Sequence, residues 1–164
     1  MSKLSAEYYI KYYAKTHGIP GVIFRFFNIY GPYQRGYAIQ NIFNDIEKAT
    51  TTLPMFGNKE DSRDFVYITD LCRIFELAMN NPPKGEVINV ASGTETTILE
   101  LAKLQCKIAG KPDLTMEYQP QPPERQNIVS RAHGTSAKAE QLLGWKTTVS
   151  LEEGLTTVYK SRTQ

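Results

Sequence analysis

The chain has 164 residues, 41% of them apolar and 22% charged, the make-up of one ordinary globular domain with enough apolar side chains for a core, and not that of a disordered tail. Its net charge of +2, with both signs spread along the sequence, excludes a basic stripe for nucleic-acid phosphates and a charged block for an acidic membrane surface. Residues Met1 to Tyr12 hold tyrosine, lysine and glutamate where a signal peptide or membrane span needs an apolar run, which points to a cytosolic protein.

Ser2 to His17 reads as a helix stopped by Gly18 and Pro20, and Gly21 to Phe27 as a buried strand. Asn28 to Gly36 is the loop that follows. Ile39, Ile42, Phe43 and Ile46 recur at helical spacing, and Leu53 to Phe56 is a short strand ended by Gly57. A strand over Asp64 to Ile68 leads into a helix with Leu71, Ile74, Phe75 and Ala78 on one face, Asp70 as its N-cap and Asn81-Pro82-Pro83 as its stop. Glu86 to Val90 is another strand. Thr97 and Glu100 form a capping-box pattern, opening a helix that carries Leu101, Leu104 and Ile108 up to Gly110. Leu114 to Tyr118 is a further strand. Gln119 to Arg131, with three prolines and two arginines, reads as a long loop of the kind that holds ligands. Ser136 to Leu143, ended by Gly144, and a helix from Leu151, with Ser150 and Glu153 again at capping-box spacing, close the chain. This alternation predicts an α/β fold with a mostly parallel sheet.

Cys72 and Cys106 each sit in an apolar pattern without a CxxC neighbour or nearby histidine, and read as buried free thiols. His17 and His133 are too far apart in sequence for a local metal motif, so no metal site is expected.

Three islands exceed what periodicity explains: Ser2-Lys3 opening a helix, Arg25-Phe26-Phe27-Asn28-Ile29-Tyr30-Gly31-Pro32, and Gly57 through Arg63-Asp64-Phe65-Val66-Tyr67-Ile68-Thr69-Asp70. Each has a plainer reading alone: Asn-x-Tyr-Gly-Pro is a good turn after a strand, Arg63 a surface arginine, Asp70 a helix cap, Lys3 the i,i+4 partner of Glu7. In order and spacing, together with Asn89-Val90-Ala91-Ser92-Gly93 and Leu143-Gly144-Trp145, the chain resembles the second half of the extended short-chain dehydrogenase/reductase family, the NAD-dependent nucleotide-sugar epimerases and dehydratases.

The resemblance implies the C-terminal part of a Rossmann-like, doubly wound sheet interwoven with a small substrate-binding lobe. It implies oxidation of a nucleoside-diphosphate sugar to a 4-keto intermediate with NAD as cofactor, a tyrosinate removing the hydroxyl proton. Lys3 matches the lysine that lowers that tyrosine's pKa from about 10 and holds the nicotinamide ribose. It is thus the catalytic and cofactor-binding candidate. The tyrosine, four residues earlier, would precede Met1, and no Gly-x-x-Gly-x-x-Gly turn for the NAD pyrophosphate occurs in the 164 residues. The expectation is therefore a single C-terminal fragment, residues 1–164, missing the N-terminal NAD-binding half and inactive by itself.

On the substrate side, Asn28, Arg63 and Arg125 match residues that touch the sugar diphosphate, arginine supplying the bidentate donors that a diphosphate takes. Arg131 is the alternative to Arg125. Phe56 resembles the residue packed near the base, although it reads equally as core. UDP-glucose 4-epimerisation is the default activity by resemblance. A 4,6-dehydratase, or a non-catalytic sugar-nucleotide-binding or split-enzyme fragment, is the alternative. The tyrosine-rich first helix matches one that pairs with its twin, implying a homodimer, or association with a separate N-terminal half. Two departures stand out: Gly57-Asn58-Lys59 replaces a Gly-Asp-Gly turn, and Thr135 replaces an aspartate as helix cap.

Overall fold

The computed structural model describes residues 2–120 and 129–162. The first half of the chain forms α1 (Ser2–His17), β1 (Ile23–Phe26), β2 (Asn28–Tyr30), α2 (Ala38–Lys48), β3 (Thr52–Phe56), β4 (Ser62–Arg63), β5 (Phe65–Tyr67) and α3 (Ile68–Asn80). The second half forms β6 (Val87–Val90), β7 (Thr96–Thr97), α4 (Ile98–Ile108), β8 (Thr115–Gln119), β9 (Arg131–Ala132), α5 (Ala137–Leu143) and α6 (Leu151–Lys160). Parallel pairing dominates, as the alternation predicts: β1 with β6, β2 with β5, β3 with β8 and β4 with β9, while β7 runs antiparallel to β4. Parallel neighbours require long crossovers, which the helices supply.

Two cores result, and the chain passes repeatedly between them. Val66, Ile74, Ile88, Val90, Ala139 and Trp145 fill one, between the β1–β6 pair and helices α3 and α5. Phe43, Ile46, Leu53, Leu101, Leu155 and Val158 fill the other, where α2, α4 and α6 cover the β3–β8 pair. The α2 face predicted from Ile39, Ile42, Phe43 and Ile46 is the buried one. Both capping boxes form, at Thr97 with Glu100 and at Ser150 with Glu153. Gly144 ends α5 in the left-handed conformation, φ +64°.

Several expectations are corrected. The strand expected over Asp64 to Ile68 forms one residue shorter at each end, as β5; Asp64 stands just outside it, its fully buried carboxylate accepting hydrogen bonds from Ser92 and Gly93. Asp70 is not the cap of α3; Tyr67 holds that position. Instead the Asp70 carboxylate accepts from Arg73 and from Thr148 and Val149, joining α3 to the segment before α6. Burial raises its pKa, but these hydrogen bonds outweigh burial and hold the carboxyl below the usual range. Cys72 is exposed, and only Cys106 is a buried thiol. The expected loop from Asn28 begins as β2, since Asn28 to Tyr30 pair with Phe65 to Tyr67. After Gly57, φ +94°, the Asn58 side chain accepts from Glu60 N at 3.1 Å, giving a turn that does not need glycine at Lys59. Thr135 is not the cap of α5: Ser136 holds that position, without a side-chain cap bond, while the Thr135 hydroxyl just before it accepts from Ala137 N.

Helix α1 has no buried residue. Its tether is Glu7, which pairs with Arg25 through two hydrogen bonds of 2.9 and 2.7 Å and not with Lys3. No helix among the described residues is long and apolar enough to cross a membrane.

Candidate functional site

β2, β4, β5 and the first turn of α2 converge on a cavity of ≈ 570 Å³, the size range of sites for small organic ligands. Asn28 enters it from the start of β2, Arg63 from the end of β4 and Asn41 from α2, between the apolar walls of Phe27, Tyr30 and Phe65. β2 is short because Gly31-Pro32 follows it, and Gln34 closes the ensuing loop by donating to the Ile29 carbonyl at 3.0 Å.

The Arg63 guanidinium is held by one nitrogen. Nη1 donates to the carbonyls of Ser62, at 2.7 Å, and Ser130, at 3.1 Å. Among the described residues the Nε–Nη2 edge makes no such bond, and that edge can meet two oxygens of an anion side by side. Behind Arg63, the Asp64 carbonyl accepts from Asn28 N at 3.0 Å, so the two candidate residues hang from one backbone junction. Gly134 backs the Phe27 wall: a Cβ there would lie 2.3 Å from the Phe27 ring, so only glycine allows this approach.

Tyr30 forms the inner wall, 3% exposed. Burial, followed by the charges of Tyr67, Asp70 and Glu153, raises its pKa well above the ordinary tyrosine value.

Of the residues singled out in sequence, Asn28 and Arg63 are thus brought to one cavity. Phe56 is exposed at the end of β3, opposite Gln119, and does not line it. Lys3 is exposed on α1, away from this wall. Arg125 lies outside the described residues. Arg131, its alternative, meets Glu95 with its Nε–Nη2 edge. The sequence reading passed over Phe27, Tyr37, Asn41 and Ile98 as lining residues. Asn41 lies on the side of α2 away from Ile39, Ile42, Phe43 and Ile46, so the periodicity of that helix carried no signal for it.

With Lys3 exposed on α1 and no glycine-rich turn in the sequence, the residues present do not form a dinucleotide cradle. Among the described residues no group of three or more histidine, cysteine or carboxylate side chains is placed to hold a metal ion.

Parallel strand pairs joined by helices define a Rossmann-like α/β protein. Residues 1–158 match the family model described as GDP-mannose 4,6 dehydratase, and the chain belongs to this family of extended short-chain dehydrogenases/reductases. It is 30% identical over 156 residues to the UDP-glucose 4-epimerase of Mycolicibacterium smegmatis, covering 93% of this chain and 49% of that protein. The solved UDP-glucose 4-epimerase of Thermotoga maritima, with UDP-glucose, is similar with TM-score 0.85 and 30% identity, over 98% of this chain and 52% of that one. The dTDP-glucose 4,6-dehydratase of Bacillus anthracis, solved with NAD, matches with TM-score 0.85 and 25% identity, over 99% and 50%. The chain spans about half the length of the curated relatives it matches.

Proposed function

We propose that these residues form the sugar-nucleotide-binding part of an NAD-dependent nucleotide-sugar 4-epimerase. The observation that carries the reading is the convergence of Asn28 and Arg63 on one cavity with a free guanidinium edge. In this reading Arg63 takes two oxygens of the diphosphate, Asn28 donates to the same group, and Phe27 and Phe65 supply apolar walls. Arg125 and Phe56 complete the nucleotide contacts, and Lys3 serves the cofactor side of the whole protein. UDP-glucose is the first substrate to test, since it is the sugar nucleotide in the Thermotoga maritima structure.

Residues 1–164 then correspond to the C-terminal part of such an enzyme, cytosolic, with an NAD-binding half supplied from elsewhere in the whole protein. Exposed Leu4, Tyr8, Tyr9, Tyr12 and Tyr13 on α1 support self-association through that helix. The dehydratase reading shares the same binding step and is favoured by the description of the matching family model. NMR identification of the product, C4 epimer or 4-keto-6-deoxy sugar, separates the two once the chain is joined to a cofactor-binding half. The binding claim is tested on the chain itself by calorimetric titration with UDP. Arg63→Ala should weaken UDP about tenfold or more, as expected for loss of charge-assisted hydrogen bonds. Equal affinity in both proteins would remove Arg63 from the site.

A further inference from the structure

Glu95 stands just before β7 and does not line the cavity, yet its carboxylate is the hub of the small sheet that carries Arg63. We propose that Glu95 is a positioning residue that sets the aim of the Arg63 guanidinium, an inference that rests on Arg63 meeting the nucleotide diphosphate as above.

The chain of contacts is short. Glu95 Oε1 accepts from the Ser62 hydroxyl. Its two oxygens also accept from Arg131, Nε on Oε1 and Nη2 on Oε2, both at 2.7 Å. Ser62 and Arg131 are register partners on the parallel strands β4 and β9, and Ser62 N donates to the Ser130 carbonyl at 2.8 Å. Glu95 therefore grips both strands at the same level. The only two hydrogen bonds on the Arg63 side chain among the described residues go to the carbonyls of Ser62 in β4 and of Ser130, the residue just before β9. If the strands part or slip, those carbonyls no longer point at one nitrogen.

The local backbone does not supply this order unaided. β4, β7 and β9 are two residues each, too short to fix a register by ladder hydrogen bonds alone. A long arginine side chain left loose must be ordered when the anion binds, and that entropy is subtracted from affinity. A carboxylate that accepts from a serine and from two donors of one arginine edge removes the freedom beforehand. Arg131 is 67% exposed and Glu95 25%, so solvent screening reduces what the pair adds to global stability, and its local effect is to hold the two strands in register.

The test is a double-mutant cycle read by UDP titration. Glu95→Gln keeps the side-chain size but removes the charge and one acceptor. It should weaken UDP about fivefold, whereas in an Arg63→Ala background it should change affinity less than about twofold, because the two residues act through one contact. Ser62→Ala should move affinity in the same direction as Glu95→Gln. Independently of any nucleotide, the Arg63 Nη1 protons, which carry the two hydrogen bonds, should exchange slowly with water in the parent chain and faster in Glu95→Gln. Unchanged UDP affinity in Glu95→Gln, a full fivefold loss persisting without Arg63, or an unaltered Arg63 Nη1 signal would each overturn the inference. If the parent chain binds no UDP, the functional reading fails instead, and the Arg63 resonance still decides the role of Glu95.

Discussion

Gly154 faces inward from α6, at a point where the structure leaves no room for a side chain. A Cβ there would sit 2.1 Å from Tyr30 Oη, 2.8 Å from Tyr30 Cζ and 2.9 Å from Tyr67 Cδ2. Ordinary contacts between carbon atoms need about 3.5 Å, so Gly154→Ala requires the Tyr30 ring to move by more than a bond's rotation can hide. That ring is wedged between Phe65 and Tyr67, centroids 6.1 and 5.4 Å away. Overpacking of this depth belongs at the upper end of the usual penalty, about 3 kcal/mol, and alanine's better helix propensity offsets about 1 kcal/mol. The expected net loss is about 2 kcal/mol, measured by urea denaturation followed through the fluorescence of the single tryptophan, Trp145. Because Tyr30 is also the inner wall of the cavity, UDP affinity should fall with it. In a Tyr30→Phe background the nearest clash disappears, and the same substitution should cost about half as much. A Gly154→Ala protein as stable as its parent, or one equally destabilised in both backgrounds, would refute this packing argument.

The acid limb of stability should report on Glu95: hydrogen bonds from Arg131 and then Ser62 lower its pKa from 4.5 to about 2. A folded value below the unfolded one gives stabilisation that is present above pH 4.5 and lost as pH falls toward 2, so thermal denaturation across that window should fall more steeply in the parent than in Glu95→Gln. Thiol labelling of the native chain should consume one thiol quickly, the exposed Cys72, and reach Cys106 only on unfolding, since burial both covers that thiol and raises its pKa; two fast thiols would contradict the packing of α4. Sedimentation equilibrium should show self-association that is lost when Tyr8 and Tyr12 on α1 are changed together to serine, and a concentration-independent monomer would rule out the role given to that face.

Local chemistry was the legible part of this chain. The bounds of α1 and the two capping boxes depend on residues within a few positions of one another, and the structure places them where the spacing predicts. Asp70 was misread as a cap because its partners, Thr148 and Val149, are distant in sequence. No propensity rule reports that a buried carboxylate near the start of one helix will collect amides from another segment. Cys72 was misjudged for a simpler reason. It lies two residues from the buried Ile74, on the opposite side of α3, where a helix presents its solvent face. At the site, Asn28 and Arg63 were visible through motif resemblance, whereas Phe27, Tyr37 and Asn41 became lining residues only through the meeting of β2 with α2. Arg131 shows the limit of spacing arguments, since either arginine of the long loop suited a phosphate until Glu95 was seen to occupy one of them.

The central claim is that Asn28 and Arg63 receive the diphosphate of a nucleotide sugar in the cavity between β2 and α2. The direct measurement is a titration of the isotope-labelled chain with UDP-glucose, following backbone amide and arginine side-chain resonances. Saturable shifts should concentrate at Asn28, at Gln34 through Asn41 and at the Arg63 Nε–H, and should vanish in Arg63→Ala. Saturation with shifts confined to α1 or to the β3–β8 pair, leaving Asn28 and Arg63 unmoved, would contradict the account.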